Sequence, residues 1–326
     1  MPWKIVAASA QGTSHAASGE ECQDAHAYEQ SERWFVGVVC DGAGSARWSA
    51  LGARHAARTV VQRVAAYLAA HPEVMRPTPK REDPLPTALP VEPNAEGAGR
   101  ATDEEGAVAA AQAASEESGE SSAANAPAPS LTDGERALRQ VVTAAIVEAR
   151  DTVFALAPEP GALLGDFNAT LVGCAAWPDG GLFFHIGDGT AVALDSRSLD
   201  VLGMSPPENG EFAEQTFFYT ADAWREHLRF TPVPAGADLV ALMSDGTMTF
   251  AIASNRREVD RRFFVPVTKH LLRDDVSTES GAAALHSTLA SPGACRVTHD
   301  DKTLLWAHLA SEAADAEPPS IAPEAG

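Results

Sequence analysis

Short apolar runs that stop abruptly on an aspartate recur along this chain, and they constrain its fold more than any other feature. The clearest is Trp34 to Cys40, which reads as a short buried strand and ends on Asp41-Gly42-Ala43-Gly44-Ser45. Asp41 is therefore predicted at a strand tip. Arg47 to Ala70 follows with Ala, Leu, Val and Arg at helical spacing and no Pro or Gly after Gly52, so the order is strand, tight turn, long helix. Asp24 in Cys22-Gln23-Asp24-Ala25, Asp245 at the end of Val240 to Ser244, and Asp300-Asp301 ahead of Lys302 to Leu309 repeat the arrangement. One Asp-Gly pair is ordinary turn chemistry. The set as a whole predicts carboxylates gathered at one end of a fold.

Taken in order, Lys4 to Gln11 predicts a strand and Gly12-Thr13-Ser14-His15 a turn, with a polar loop from Ser14 to Glu21 delivering Asp24. Ala25 to Tyr28 is expected to pair antiparallel with Trp34 to Asp41, bringing two carboxylates to the same end. Helical pattern returns at Thr132-Asp133-Gly134-Glu135, a plausible cap, and runs to about Leu156. Asn168 to Trp177, Gly181 to Gly187 and Thr190 to Leu194 read as strands, with Pro178 to Gly181 and Gly187-Asp188-Gly189 as hairpin turns. Ser205 to Gly236 predicts a strand plus a surface flap with Phe217, Phe218, Tyr219 and Trp224 as its core. A strand at Asp238 to Ser244, helices at Val259 to Leu272 and Gly281 to Leu289, and a strand at Thr303 to Leu309 complete the pattern. Strands on both sides of an antiparallel helix pair imply an α+β sandwich rather than a doubly wound parallel sheet.

Between the two long helices the composition changes. Residues 72–131 are rich in Ala, Pro, Glu, Gly and Ser, with almost no large apolar side chain to offset the entropy of ordering, so a disordered insertion is predicted there. The acidic, Pro/Ala-rich tail 311–326 carries the same expectation. A single domain over 1–310, interrupted by that insertion, is the predicted organisation. The insertion joins helices whose first turn starts beside Asp41, and over twenty residues at about 1.5 Å each carry it some 35 Å away.

Asp and Glu total 45 against 24 Lys and Arg, a formal net charge of −21. That balance excludes binding to a nucleic-acid backbone, which needs a clustered basic stripe. Apolar stretches of about 18 residues are missing and no signal-peptide core follows Met1, so a soluble cytoplasmic protein without membrane contact is expected. Cys22, Cys40, Cys174 and Cys295 show no paired spacing, which fits reduced thiols rather than zinc or disulfides. Four crowded carboxylates would repel one another by about 1 kcal/mol per pair at 4 Å in water and about 4 at an effective dielectric of 20. Cations among them remove that cost, and an all-oxygen donor set selects Mg²⁺ or Mn²⁺ over zinc. Two such ions about 3.5 to 4 Å apart can bind a phosphoryl oxygen and activate water.

Gln23-Asp24, Cys40-Asp41-Gly42-Ala43-Gly44-Ser45, Asn168-Ala169-Thr170-Leu171-Val172, Ile186-Gly187-Asp188-Gly189, Met243-Ser244-Asp245-Gly246 and Asp300-Asp301-Lys302-Thr303, in that order, resemble the metal-dependent serine/threonine phosphatases of the protein phosphatase 2C type. Gly12-Thr13-Ser14-His15 with Cys22 to Ala25 is most similar to a bacterial subgroup. The resemblance covers residues 3–309 apart from the insertion. It implies a four-layer α-β-β-α sandwich of two mainly antiparallel sheets flanked by helix pairs, and two divalent ions with room for a third. By position, Asp41 would bridge the metals, the Gly42 carbonyl would help hold one, Asp245 and Asp300 would hold the other, and Asp24 would bind directly or through water. Asp301 stands where the family usually has Asn and is a further candidate ligand. Asp166 lies near the family's third-metal ligand, whereas Asp188 reads as a structural turn residue.

One departure concerns an arginine that relatives carry about five residues before the Asp24 position to grip phosphate bidentately. Here Gly19 occupies it, leaving His15 or Arg47 as candidate phosphate contacts. His15 is either a loop histidine bonded to backbone or a general acid and phosphate contact. His26 and His185 read as packing residues, and Cys40 as a buried small side chain. The expected activity is hydrolysis of phosphoserine and phosphothreonine in proteins, with a serine/threonine kinase of the same pathway as a partner. The alternatives are a catalytically weak regulatory or phosphoprotein-binding module, and a hydrolase of small phosphate esters.

Overall fold

The computed structural model describes residues 3–75, 133–208 and 216–310. These residues belong to one unit spanning 1–79 and 131–326. The insertion and tail expected to be disordered lie outside the described residues, except that Pro72–Val74 form a 3₁₀ turn with Val74 only 9% exposed. The described fold therefore continues past His71 to Met75.

The strands are β1 (Trp3–Ala10), β2 (Ala25–Gln30), β3 (Phe35–Cys40), β4 (Leu171–Trp177), β5 (Gly180–Ile186), β6 (Thr190–Leu194), β7 (Val201–Ser205), β8 (Arg229–Val233), β9 (Leu239–Met243) and β10 (Lys302–Leu309). They form two five-stranded sheets, ordered β1-β10-β9-β6-β7 and β2-β3-β4-β5-β8. Every pairing is antiparallel. The helices are α1 (Thr13–Ser18), α2 (Ser49–Ala70), α3 (Asp133–Thr152), α4 (Asp245–Ala251), α5 (Arg261–Leu271), α6 (Thr278–Leu289) and α7 (Pro292–Val297).

Three apolar layers hold these elements together. Between the sheets, Trp3, Ile5, Phe35, Val39, Val172, Phe183 and Leu305 interlock. Outside the second sheet, Ala53, Ala57, Val60, Val64 and Leu68 of α2 and Leu138, Val142 and Ile146 of α3 cover Val36, Val38 and Phe184. Outside the first, Phe264, Leu271, Leu285 and Leu289 cover Val6, Leu304 and Trp306. Spacings of three and four residues put each helix's apolar set on one face, so the sandwich is α-β-β-α, as the family resemblance implied.

Two local expectations change. Gly12 to His15 is not a simple turn: the chain enters α1 at Thr13 and leaves it at Gly19, whose φ of +77° closes the helix in the left-handed region. Gly187-Asp188-Gly189 is not a hairpin turn either. β5 pairs with β4 and β8, whereas β6 pairs with β7 and β9, so this tripeptide carries the chain from one sheet to the other.

Candidate metal centre

β2 begins and β3 ends at the same edge, with Ala25 opposite Cys40, so Asp24 and Asp41 emerge side by side. Thr170 fixes Asp41: its Oγ1 accepts from Asp41 N at 3.0 Å, and Thr170 N donates to Asp41 O at 2.8 Å. Gly42 extends the contact through an isolated bridge to Ala169. The Asn168-Ala169-Thr170 motif thus holds the strand tip. Asp245 begins α4 directly after β9, and Asp300 precedes β10, its neighbour in the first sheet. Gly246 lets these two loops meet: a Cβ there would overlap the Asp301 carbonyl.

Carboxylate oxygens of Asp41, Asp188 and Asp245 all lie within 4.8 Å of one another. They face a cavity of about 450 Å³ that is also lined by His15, Gly42 and Asp300. Asp188, expected as a structural turn residue, lies on the crossing between the sheets and also faces this cavity. Thr216 and Phe218, from the β7–β8 connection, line the cavity too, and Thr216 Oγ1 donates to Asp188 Oδ2 at 2.5 Å. No local pattern marks Thr216, and Phe218, expected in the core of a surface flap, lines the cavity as well.

Burial drives the electrostatics. Desolvation, followed by the charges of Asp24 and Asp245, holds the Asp41 carboxyl well above the usual carboxylate range. Asp24, 5% exposed, is pushed up to about 7 by burial, helped by Asp301 and Asp245 and opposed by hydrogen bonds from Ser244 and Thr303. Asp245 and Asp188 are raised as well, mainly by desolvation. Each group disfavours its own charge until a cation arrives. Oδ1 of Asp24, Asp188 and Asp245 is buried without a hydrogen-bond partner. Orphaned anionic oxygens and an all-oxygen donor set fit a hard divalent cation.

Asp24 stands beside this group, with Ser244 Oγ donating to its Oδ2 at 2.8 Å. Asp300 lines the cavity, and buried Lys302 donates to its carbonyl at 2.7 Å. Asp301, the further candidate ligand, is not among the residues that line the cavity. Its Oδ1 accepts from Gly12 N and its Oδ2 from Gln23 N, each at 2.6 Å, and His15 Nδ1 lies 3.0 Å from Oδ2. These bonds consume the carboxylate as a cross-link. Asp166 is also elsewhere: Oδ2 accepts from Leu163 N at 2.8 Å and closes the 3₁₀ turn Leu164–Phe167.

His15, on α1, lines the cavity rather than bonding only to backbone. Burial lowers its pKa, but contact with Asp301 and the charges of Asp300 and Glu20 outweigh this and raise it overall. Arg47 does not reach the carboxylates; it pairs with Glu159 and lies over Trp48 at 4.7 Å. Gly19, at its positive φ, has open space around it. Neither arginine nor lysine lines the cavity among the described residues.

Comparison with known proteins agrees with this architecture. The chain matches the protein phosphatase 2C family model over residues 11–89 and 94–290. It is 30% identical over 179 residues to serine/threonine-protein phosphatase 3 of Escherichia coli K12, a match covering 53% of this chain and 70% of that protein. Among solved structures, the S. agalactiae serine/threonine phosphatase shares the fold with a TM-score of 0.50 at 11% identity, over 94% of this chain and 100% of the other. The serine/threonine phosphatase Stp1 of Staphylococcus aureus does so with a TM-score of 0.50 at 10% identity, over 94% and 95% of the two chains. With the family model matching most of its length, the chain belongs to the protein phosphatase 2C family.

Proposed function

We propose that this protein is a metal-dependent phosphoprotein phosphatase that hydrolyses phosphoserine and phosphothreonine esters. The observation that carries the reading is the convergence of Asp41, Asp188 and Asp245 within 4.8 Å at a cavity with orphaned carboxylate oxygens. Asp41, Asp188, Asp245 and Asp300 hold Mg²⁺ or Mn²⁺, with Asp24 and the Gly42 carbonyl supporting them. When bound, the cations supply positive charge for the phosphoryl oxygens and acidify a water at neutral pH. The protein's own residues do the rest. His15, with Nδ1 3.0 Å from the Asp301 carboxylate and Nε2 4.0 Å from Glu20, faces the cavity and on this reading gives a proton to the ester's leaving oxygen.

Phosphorylated proteins are the substrates on this reading, and a serine/threonine kinase of the same pathway is the counterpart enzyme. Four free cysteines, two of them buried, support a reducing cytoplasmic setting. No helix among the described residues is long and apolar enough to cross a membrane.

Phosphate release from a phosphothreonine peptide with Mn²⁺, Mg²⁺ or chelator, comparing wild type with Asp41→Asn and Asp245→Asn, tests the reading. Metal-dependent release lost in both variants is expected. Gly19 and the engagement of Arg47 by Glu159 favour one rival, a regulatory module without turnover. Wild-type protein that binds metal by calorimetry yet releases no phosphate would establish that rival.

A further inference from the structure

Although the chain carries a net charge of −21, one surface cleft is lined by three arginines and no acid. Arg136 and Arg139 stand about one turn apart on α3, Arg225 projects from the β7–β8 connection, and Gln140 and Thr143 complete a space of about 520 Å³. Arg136 also meets Asp133 at 3.1 Å. The other two guanidinium groups are held over aromatic rings, Arg139 at 5.0 Å from Phe230 and Arg225 at 4.5 Å from Trp224. Stacking of this kind orients the planar group while its N–H edge stays available to a carboxylate. Nε of Arg139 is buried with no hydrogen-bond partner.

The cleft is tied to the metal centre through the chain. Thr216 and Phe218, on the same connection as Arg225, line the carboxylate cavity. Arg150 of α3 pins that connection, donating to Tyr219 O at 2.6 Å and Ala221 O at 2.9 Å. Phe218 and Arg225 are seven residues apart, so they lie at most about 25 Å from one another. A peptide lying extended at about 3.3 Å per residue covers that span in about eight residues.

We propose that this arginine cleft docks an acidic stretch of the phosphoprotein substrate, within about eight residues of the phosphorylated side chain. The assignment rests on the phosphatase reading for its substrate class. Charge complementarity selects the occupant: Arg forks match carboxylates bidentately. Repulsion from the acidic surface beyond about 8 Å is screened at physiological salt, and with Arg136 offset by Asp133, the charges that meet an acidic segment are those of Arg139 and Arg225.

Two phosphothreonine peptides of about 16 residues test this, one with a Glu cluster about eight residues from the phosphothreonine and one with Gln there. Fluorescence anisotropy in chelator, where the metal-dependent reaction does not run, reads their affinity for the full chain. Wild type is expected to bind the Glu peptide about tenfold more tightly. In Arg139→Gln/Arg225→Gln the ratio should fall to about one, and in the exposed single variant Arg225→Gln severalfold, with Mn²⁺-dependent turnover of p-nitrophenyl phosphate unchanged. Equal binding of the two peptides by wild type, or an undiminished ratio in the double variant, would overturn the docking site. Absence of phosphate release by wild type with Mn²⁺ would remove the phosphatase reading instead, and the anisotropy ratio would still decide the cleft.

Discussion

Asp301 Oδ2 lies 3.0 Å from Nδ1 of His15 and also accepts a hydrogen bond from the backbone of Gln23, while Oδ1 accepts one from Gly12. One buried carboxylate thus joins the α1 entry, the Asp24 loop and the histidine that faces the cavity. An amide at this position offers one acceptor and one donor. Asp301→Asn therefore leaves a backbone N–H facing another donor, at a cost of about 1–3 kcal/mol. Urea unfolding should show that loss, and calorimetry should show metal affinity nearly unchanged. A collapse of metal affinity in a variant that remains folded would make Asp301 a ligand after all.

Asp245→Asn is expected to act in the opposite direction on the metal-free fold. Removing one of the crowded charges relieves repulsion with Asp188 and Asp300, both of which help raise the Asp245 pKa. Stability in chelator should rise by about 1 kcal/mol, or about 2–4 °C for a chain of this size. The stabilisation produced by Mn²⁺ in wild type should shrink or vanish in the variant. Scanning calorimetry with and without Mn²⁺ reads both effects, and a metal-free variant less stable than wild type would contradict the crowding argument.

The same charges set a pH dependence. Asp24, Asp41 and Asp245 have folded pKa values above their unfolded ones, Asp24 at about 7. Between about 4 and about 7 the folded state therefore binds more protons than the unfolded state, and the cluster's contribution to stability in chelator falls as pH rises. His185 opposes this: fully buried, its pKa is lowered by desolvation and by Arg229, so its contribution rises with pH through about 6.5. Subtracting the Asp245→Asn profile from that of wild type isolates part of the carboxylate contribution. Mn²⁺ should add more to the melting temperature at pH 7.5 than at pH 5.5, because below about 7 protons compete for the same oxygens.

Much of this centre was legible in the sequence because its signals are local. An apolar run followed by Asp-Gly identifies a strand tip whatever its partner, and Asp24, Asp41, Asp245 and Asp300 do meet at one end of the sandwich. Asp188 was not legible, since Gly187-Asp188-Gly189 between two apolar runs has the pattern of a hairpin turn. Only the pairing of β6 with β9 and β7 sends the chain to the other sheet and brings Asp188 to the wall of the cavity. The pairing of Arg47 was not legible for a similar reason: its partner Glu159 lies 112 residues away. Asp166 shows the reverse, a carboxylate whose motif-like position conceals a local capping bond to Leu163.

Gly246 connects the loops on which the site depends. A Cβ built there overlaps the Asp301 carbonyl and comes 3.5 Å from the Asp300 Cβ, and the obstacle is backbone that no rotamer change can clear. Gly246→Ala must therefore move the start of β10 away from α4, separating Asp300 from Asp245 and pulling Asp301 from Gly12 and Gln23. Overpacking alone costs about 1–3 kcal/mol, and a strained cross-link adds to it. Gly19→Ala is the matched control, since the new Cβ meets nothing within 4 Å and only the positive φ is penalised, at about 1 kcal/mol. Urea unfolding should rank Gly246→Ala as the more destabilised, and Mn²⁺ titration should show weakened binding in that variant alone. Equal effects of the two substitutions would mean that the contact between the Asp245 and Asp301 loops does not hold the site together.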